Sequence, residues 1–357
     1  MKTPTVTFYN AMEKILKKAS LQEWVAKLDS HDVYMPAFVD DNWNYVVIDD
    51  AKAAGLDFAK TIHSPKNIVF PQREVMFTFE QEKGGAPVIA QTIPDPRPFV
   101  VFGVRSCDAK GLTLTDIVFS KEYEDPYYWA RRNKGVFVGL SCNEPPDRTC
   151  FCVSTGGSPH GEDGLDIQMT ELADSYYVKS FTDKGKRIVE LGGSLFSAAA
   201  AKDKNELEKV HAASMTHQQR PINNLAGAPA KLKDMFTAPF WDEKSKACIQ
   251  CGICTFLCPT CHCFDMNDEV SSSAPLKGER VRTWDTCQFP DFTMHSSGHN
   301  PRPDNASRLR QRVCHKFQYF FENHGVHQCT GCGRCVAKCP VGIDIVAAVN
   351  GANDYAE

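Results

Sequence analysis

Two short stretches of the sequence carry cysteines at a spacing that suits iron–sulfur clusters. Residues 248–259 read Cys-Ile-Gln-Cys-Gly-Ile-Cys-Thr-Phe-Leu-Cys-Pro, and residues 329–340 repeat the same C-x2-C-x2-C-x3-C-P pattern. Three thiolates of each motif can wrap one tight loop around a cube of iron and sulfide, and the fourth then points to the neighbouring cube. The motifs therefore predict two [4Fe-4S] clusters.

By this rule each cluster takes three cysteines from one motif and one from the other. The first set is Cys248, Cys251, Cys254 and Cys339, and the second set is Cys329, Cys332, Cys335 and Cys258. Glycines follow Cys251 and Cys332, where they let backbone N–H groups approach the sulfurs. A pair of zinc ribbons is the alternative, but zinc normally takes two CxxC pairs separated by a longer loop.

Four cysteines in the first 240 residues form a third candidate set: Cys107, Cys142, Cys150 and Cys152. Cys107 and Cys142 each end an apolar run that reads as a strand, and Cys150 and Cys152 follow on a loop long enough to fold back. Four thiols are what one cubane needs, so we expect a third [4Fe-4S] cluster here. The alternatives are four buried thiols or a zinc site.

The remaining four cysteines are Cys261, Cys263, Cys287 and Cys314. We expect structural roles or roles around the clusters for them, with a further metal site as the alternative. Cys314 lies within a predicted helix over 305–322, where a cysteine is most often a packed thiol. The basic residues Arg308, Arg310, Arg312 and Lys316 of that helix read as a solvated face, or else as a docking surface or a source of positive potential.

Composition narrows the class of protein. The chain has 357 residues, of which 42% are apolar and 24% are charged, and this composition excludes a disordered chain. Its net charge of −4 does not suggest a nucleic-acid binder. No apolar stretch has the length of a membrane span, and the N-terminus has no signal core. We therefore expect a cytoplasmic protein with free thiols rather than disulfides, and neither a membrane nor a nucleic acid as partner.

Several functional signatures do not occur in the sequence. There is no G-x-G-x-x-G after a strand and no P-loop, so we expect no nucleotide site in this chain. No catalytic Ser–His–Asp or paired-carboxylate signature stands out either. We expect the clusters to be the only bound cofactors and assign no catalytic residue.

The elements that position the cysteines divide at about residue 240. Residues 1–240 read as a mixed α/β domain, and 241–357 as an α-helical, two-cluster ferredoxin-like domain with a long insertion of 70 residues between Cys258 and Cys329. The runs 99–107 and 135–142 are continuous and apolar, as in buried parallel strands, so both Ser-Cys ends should meet at one sheet edge.

Further elements follow from local patterns. We expect a helix over 8–28, strands at 45–48, 68–70 and 75–79, and a polar helical stretch over 193–236. A crossover helix should follow Cys107, with Asp108 as its N-terminal cap.

Longer strings of residues resemble one family. They are residues 103–108 (Gly-Val-Arg-Ser-Cys-Asp), 150–152, 258–264 (Cys-Pro-Thr-Cys-His-Cys-Phe), 284–291 (Trp-Asp-Thr-Cys-Gln-Phe-Pro-Asp), 297–302 and 308–312. The chain resembles the iron–sulfur β-subunit family of soluble NAD(P)-linked [NiFe] hydrogenases, the sulfhydrogenases. That family includes one of the subunits of anaerobic sulfite reductase and the iron–sulfur subunit of flavin oxidoreductases that work with heterodisulfide reductase. The resemblance runs from about residue 99 to 345 and is weak before it.

This resemblance implies an electron relay of anaerobic metabolism, placed beside further redox subunits and a subunit that binds flavin and NAD(P). Cys314 has no counterpart in the family pattern. A catalytic subunit that reduces a sulfur species or a disulfide is the alternative, with Cys261, Cys263 and Cys287 as its only candidate site. A free ferredoxin or redox sensor is a third hypothesis, which the size of the first domain opposes.

Overall fold

The computed structural model describes residues 11–217 and 220–356. Its strands are β1 (Met12–Lys17), β2 (Asp32–Val39), β3 (Asn42–Val47), β4 (Arg73–Gln81), β5 (Val88–Gln91), β6 (Phe99–Val104), β7 (Gly135–Leu140), β8 (Ile167–Glu171), β9 (Ser175–Ser180), β10 (Phe196–Ala198), β11 (Phe264–Ser273) and β12 (Leu276–Trp284).

The helices of the described residues alternate with these strands and then dominate the C-terminal part. They are α1 (Leu21–Ala26), α2 (Lys66–Val69), α3 (Ser106–Val118), α4 (Pro126–Arg132), α5 (Asp183–Gly192), α6 (Ala201–Thr216), α7 (Ala228–Asp234), α8 (Phe240–Ser245), α9 (Ile253–Phe256), α10 (Asn305–Cys314), α11 (Phe320–His324), α12 (Arg334–Ala337) and α13 (Ile345–Asp354). No helix in the described part of the chain is long and apolar enough to cross a membrane.

The larger sheet holds the two strands that end in Ser-Cys. Its order in the described residues is β10-β1-β9-β8-β7-β6-β2-β3, and β7 lies parallel to both β6 and β8. Every residue of β6 and β7 is buried, because the sheet is covered on both faces. Val100 and Phe102 join a core with α1 and α5, whereas Val101 joins one with α3 and α4. The predicted parallel pair is therefore present.

Four local predictions differ from the structure. The helical stretch expected over 193–236 contains strand β10, which pairs with β1, before the helices α6 and α7. Residues 12–17 form strand β1 between β9 and β10, and only 21–26 of the expected helix over 8–28 is α-helical; residues 8–10 lie outside the described part. Tertiary pairing overrides the helical spacing there. Residues 68–70 belong to the short helix α2 and its end, after Pro65. Arg105, and not Asp108, occupies the N-terminal cap of α3.

The insertion between the motifs forms a β-hairpin that joins a second sheet. Its order in the described residues is β11-β12-β4-β5, with β12 antiparallel to β4. The hairpin of the cysteine-rich part thus pairs with strands of the first part of the chain. The boundary at residue 240 stays a prediction.

A third apolar core lies beneath the cysteine motifs. Residues of α7, α10 and α13 build it, together with the π-helical stretch His315–Tyr319 that continues α10 into α11. The helix expected over 305–322 is therefore present, but Arg308, Arg312 and Lys316 are 3%, 5% and 2% exposed. The interpretation of these three residues as a solvated face is wrong.

Candidate iron–sulfur centres

The first cysteine set lines a single cavity. Cys248, Cys251, Cys254 and Cys339 all contribute to its wall, together with Cys335 and Arg312. Gly252 lies between the motif loop and α9 at φ +72°, a left-handed conformation that glycine adopts without strain. Burial raises the pKa of the Cys254 thiol to about 12, so a free thiolate is unfavourable there unless a cation or metal stabilises it.

The second set converges from two distant stretches of the chain. Cys258 lies close enough to Cys329, Cys332 and Cys335 for its negative charge to raise the pKa of each of them. Gly333, at φ +75°, precedes α12, and a Cβ there would come within 2.4 Å of the Thr149 carbonyl oxygen. The crossed arrangement inferred from the motif spacing is therefore geometrically available in this fold.

The third set also lines one cavity. Cys107, Cys142, Cys150 and Cys152 contribute to it, with Lys60 and Arg105 beside them. Cys107 lies in the first turn of α3 and Cys142 just beyond β7, and the loop that follows folds back as the Cys142 N–H donates to the Pro159 carbonyl at 3.0 Å. Burial raises the pKa of Cys107 and Cys142, and that of Cys152 to about 12. Residues far apart in sequence thus meet at one sheet edge.

The second and third sets adjoin each other. The Phe151 N–H donates to the Gly331 carbonyl at 2.8 Å, and the Lys60 amine donates to the Cys332 carbonyl at 3.0 Å. The same amine lies 3.7 Å from the Cys150 sulfur. Lys60 therefore contacts both cysteine loops at once.

A buried ion pair fixes the two loops relative to each other. The Arg334 guanidinium binds the Asp108 carboxylate through two nitrogens, and both side chains are at most 2% exposed. Arg334 also donates through Nε to the Thr61 carbonyl at 3.0 Å. This pair joins α3, whose first turn contains Cys107, to α12, which follows Cys332.

Three buried cations surround the second set without a carboxylate partner among the described residues. Lys66 donates to the carbonyls of Cys258 and Cys261 at 3.1 and 2.9 Å. Lys316 donates to the Thr260 hydroxyl at 2.8 Å, and Arg312 lies 3.6 Å from the Cys261 sulfur.

The buried cations require negative charge nearby. An unpaired buried cation costs several kcal/mol, so anions must lie close. Burial alone would lower the pKa of Arg312, but the sulfur charges of Cys254 and Cys261 outweigh it and raise that pKa. Thiolates bound to anionic clusters supply such charge, so the donor set fits [4Fe-4S] clusters.

The last four cysteines separate into two kinds. Cys261 hydrogen-bonds to Cys258, and Cys263 to Cys287. Cys314 is fully buried in the apolar core, where it hydrogen-bonds with Tyr319, as expected of a packed thiol. None of the sixteen cysteines, all of which lie in the described residues, forms a disulfide.

No group of three or more Cys, His, Asp or Glu side chains in the described residues converges on a single ion position. A cubane does not require such convergence, because its four thiolates bind four different irons.

The sequence predicts a solvated face for the basic residues of the helix over 305–322, with a docking surface or a source of positive potential as the alternative, and the structure places Arg312 and Lys316 beside the cysteines. Arg308, Arg312 and Lys316 are spaced by four residues and alternate with the apolar positions Leu309, Val313 and Phe317. Such spacing puts them on or beside the buried face of a helix, which is the signal that could have identified them. Lys60, Lys66 and Arg105 have no local signal, because the fold alone brings them to the cysteines.

Comparison with known proteins agrees with this geometry. Residues 247–343 match the family described as a 4Fe-4S dicluster domain. The chain is 30% identical over 318 residues to sulfhydrogenase 2 subunit beta of Pyrococcus furiosus, a match that covers 89% of this chain and 91% of the relative. The chain belongs to the iron–sulfur β-subunit family of sulfhydrogenase type.

Membership of the sulfhydrogenase β-subunit family confirms the resemblance inferred from the residues. The match over 318 residues is longer than the span 99–345, so part of the similarity lies outside it. The chain is an electron-transfer iron–sulfur subunit, with a mixed α/β fold and a C-terminal 4Fe-4S dicluster domain. The same findings do not favour the catalytic alternative.

Proposed function

We propose that this β subunit binds three [4Fe-4S] clusters through its twelve cysteines of the first, second and third sets. When bound, such clusters exchange single electrons at low potential with little rearrangement. The observation that carries the third cluster is the cavity lined by Cys107, Cys142, Cys150 and Cys152 beside the second set. The other eight cysteines follow the dicluster pattern of residues 247–343.

The contacts between the sets support a linear order. Lys60 and the Phe151–Gly331 hydrogen bond connect the third set to the second, and Arg312 lies among sulfurs of both the second and the first. At the first set the chain reaches the surface, where Cys251 is exposed and Ile249 is 61% exposed. The three sets therefore form a row, with the second set in the middle and the first and third sets at its two ends.

The partners follow from what the chain lacks. A sequence without a nucleotide-binding motif needs another subunit to exchange electrons with NAD(P)H, so we propose that one end of the row faces a subunit that binds flavin and NAD(P). A catalytic or ferredoxin-like subunit takes the other end. Sixteen cysteines without a disulfide among them suit a reducing cytoplasm.

Iron content tests the number of clusters. Anaerobically reconstituted chain should contain about twelve irons, and Cys107→Ser or Cys150→Ser should each lower this to about eight while the electron paramagnetic resonance signals of the dicluster part persist. Cys314→Ser is the matched control and should keep about twelve. Unchanged iron and sulfide in both third-set variants would overturn the third cluster.

A further inference from the structure

Cys263 and Cys287 lie together at the base of the β11–β12 hairpin. The last paired residues of the hairpin are Phe264 and Trp284, and beyond them the Asp285 N–H donates to the Cys263 carbonyl at 3.0 Å. Cys263 therefore precedes β11, and Cys287 follows β12 on the other arm. The hairpin holds the two residues close although 23 residues separate them in the chain.

The two side chains are hydrogen-bonded neighbours. The Cys263 thiol donates a hydrogen bond to the Cys287 sulfur, and the Cys287 backbone N–H is directed at the Cys263 sulfur. The Gln288 amide also lies 3.4 Å from the Cys287 sulfur. Two neighbouring thiols held on the two arms of one hairpin can be joined by a disulfide when they are oxidised.

Both cysteine sets of the dicluster part neighbour this pair. Cys254 of the first set is within electrostatic range of Cys287, and Gln288 lines the first-set cavity. On the other side, Cys263 is within range of Cys261, which hydrogen-bonds to Cys258 of the second set. The pair thus lies next to both predicted centres.

The surroundings favour a thiolate on one of the two residues. The hydrogen bond from Cys263, followed by Gln288, Arg312 and Lys316, lowers the pKa of Cys287 to about 6. The same hydrogen bond and burial raise the pKa of Cys263. One thiolate beside one thiol is the usual state of a reduced redox-active cysteine pair.

We propose that Cys263 and Cys287 form a redox-active dithiol–disulfide pair, which stores two electrons beside the one-electron centres. On oxidation the S–H bond of Cys263 breaks and one S–S bond to the Cys287 thiolate forms. Two electrons then leave one at a time to the iron–sulfur relay, and one proton leaves to solvent, which half-buried Cys263 reaches. Reduction reverses each of these changes. The inference rests on the proposed relay, because the relay is its electron donor and acceptor.

Differential alkylation tests the pair in the full, cluster-loaded chain. One anaerobic sample is oxidised with thionine and one is reduced with dithionite, and each is denatured, alkylated, digested and analysed by mass spectrometry. We expect the peptides of Cys263 and Cys287 to be joined, with two hydrogens fewer, after oxidation and to be separately alkylated after reduction. Cys314 should be alkylated in both samples.

A coulometric titration measures the same store without reliance on peptides. The wild-type chain should take up two more electrons than Cys263→Ser or Cys287→Ser, whereas Cys314→Ser should match the wild type. Full alkylation of Cys263 and Cys287 after oxidation would overturn the pair. So would a loss of about four irons in Cys287→Ser, since it would make that residue a cluster ligand.

The iron content of each sample separates this inference from the proposed relay. A chain with about eight irons and a reversible Cys263–Cys287 disulfide would contradict the third cluster and support the pair. A chain with about twelve irons and no disulfide in either state would contradict the pair alone.

Discussion

The dicluster segment and the α/β part of the chain assemble their cysteines in different ways. In the dicluster segment three ligands of each predicted centre lie within seven consecutive residues, 248–254 or 329–335. In the α/β part the four cysteines of the third set come from a helix start, a strand end and a returning loop. One arrangement is encoded by local spacing, and the other by the topology of a parallel sheet.

This difference affects how each part should tolerate damage. In the predicted arrangement the first and second sets exchange their fourth ligands, and Arg312 lies among sulfurs of both. The third set has its own cavity and joins the second through Lys60 and the Asp108–Arg334 pair. We therefore expect the loss of a ligand to spread within the dicluster segment but to stay local in the third set.

The largest expected effect is that of a second-set substitution. Cys335→Ser should remove about eight of about twelve irons, because it removes one ligand and leaves Arg312 and Lys316 without their full counter-charge. Cys142→Ser should remove only about four. Anaerobic iron and sulfide analysis compares the two variants, and equal losses would show that the two parts do not differ.

The next effect concerns the ion pair between the two parts. Asp108→Asn leaves the buried Arg334 guanidinium without its carboxylate, so the free energy of unfolding should fall by about 3–5 kcal/mol. Chemical unfolding under anaerobic conditions measures it. The double variant Asp108→Leu, Arg334→Met should lose less than Asp108→Asn, since it buries no unpaired charge. If Asp108→Asn had wild-type stability, the Asp108–Arg334 pair would not hold the α/β part and the dicluster segment together.

The same contrast explains how far the sequence predicts this molecule. Motif spacing was sufficient to bring Cys248, Cys251, Cys254 and Cys339 to one cavity, because the ligands lie on short loops. Two apolar runs ending in Ser-Cys were sufficient to bring Cys107 and Cys142 to one sheet edge, because the carboxyl ends of parallel strands share an edge. Both inferences were possible because each depends on a short sequence pattern: the spacing of cysteines in a motif, or the end of an apolar strand.

What the sequence could not predict depends on pairing between distant segments. Residues 12–17 have helical spacing but form a strand, because β9 and β10 supply partners from residues 175–198. The insertion hairpin pairs with β4, about 200 residues earlier, and nothing in its local pattern indicates that partner. The buried cations Lys60 and Lys66 depend on the same long-range packing.

A smaller effect is expected at the contact between the second and third sets. Lys60→Met removes a positive charge 3.7 Å from the Cys150 sulfur, so the reduction potential of the third centre should fall. A fall of about 60 mV corresponds to about 1.4 kcal/mol for one electron. A redox titration followed by electron paramagnetic resonance measures this change. The exposed Lys338→Met is the control, and an equal change in both variants would remove the specific role of Lys60.

The smallest effect is a pH dependence confined to the α/β part. The His211 ring stacks on His160 at 3.9 Å between centroids, and its Nε2 lies 3.1 Å from the Thr170 hydroxyl. Burial, then the charges of His160 and Lys179, lower the pKa of His211 to about 4. The unfolded value is near 6.5, so the folded state binds fewer protons than the unfolded state in the window between them.

The sign of the effect follows from this proton difference. The contribution of neutral His211 is complete above about pH 6.5 and is lost progressively as the pH falls toward 4. Because the ring is partly exposed, we expect His211→Gln to reduce the loss of stability between pH 7 and pH 5 by about 1 kcal/mol. Chemical unfolding at the two pH values measures it, with the exposed His217→Gln as control. An unchanged pH dependence in His211→Gln would contradict this role of His211 and leave the acid sensitivity to other partly buried histidines, such as His63 and His160.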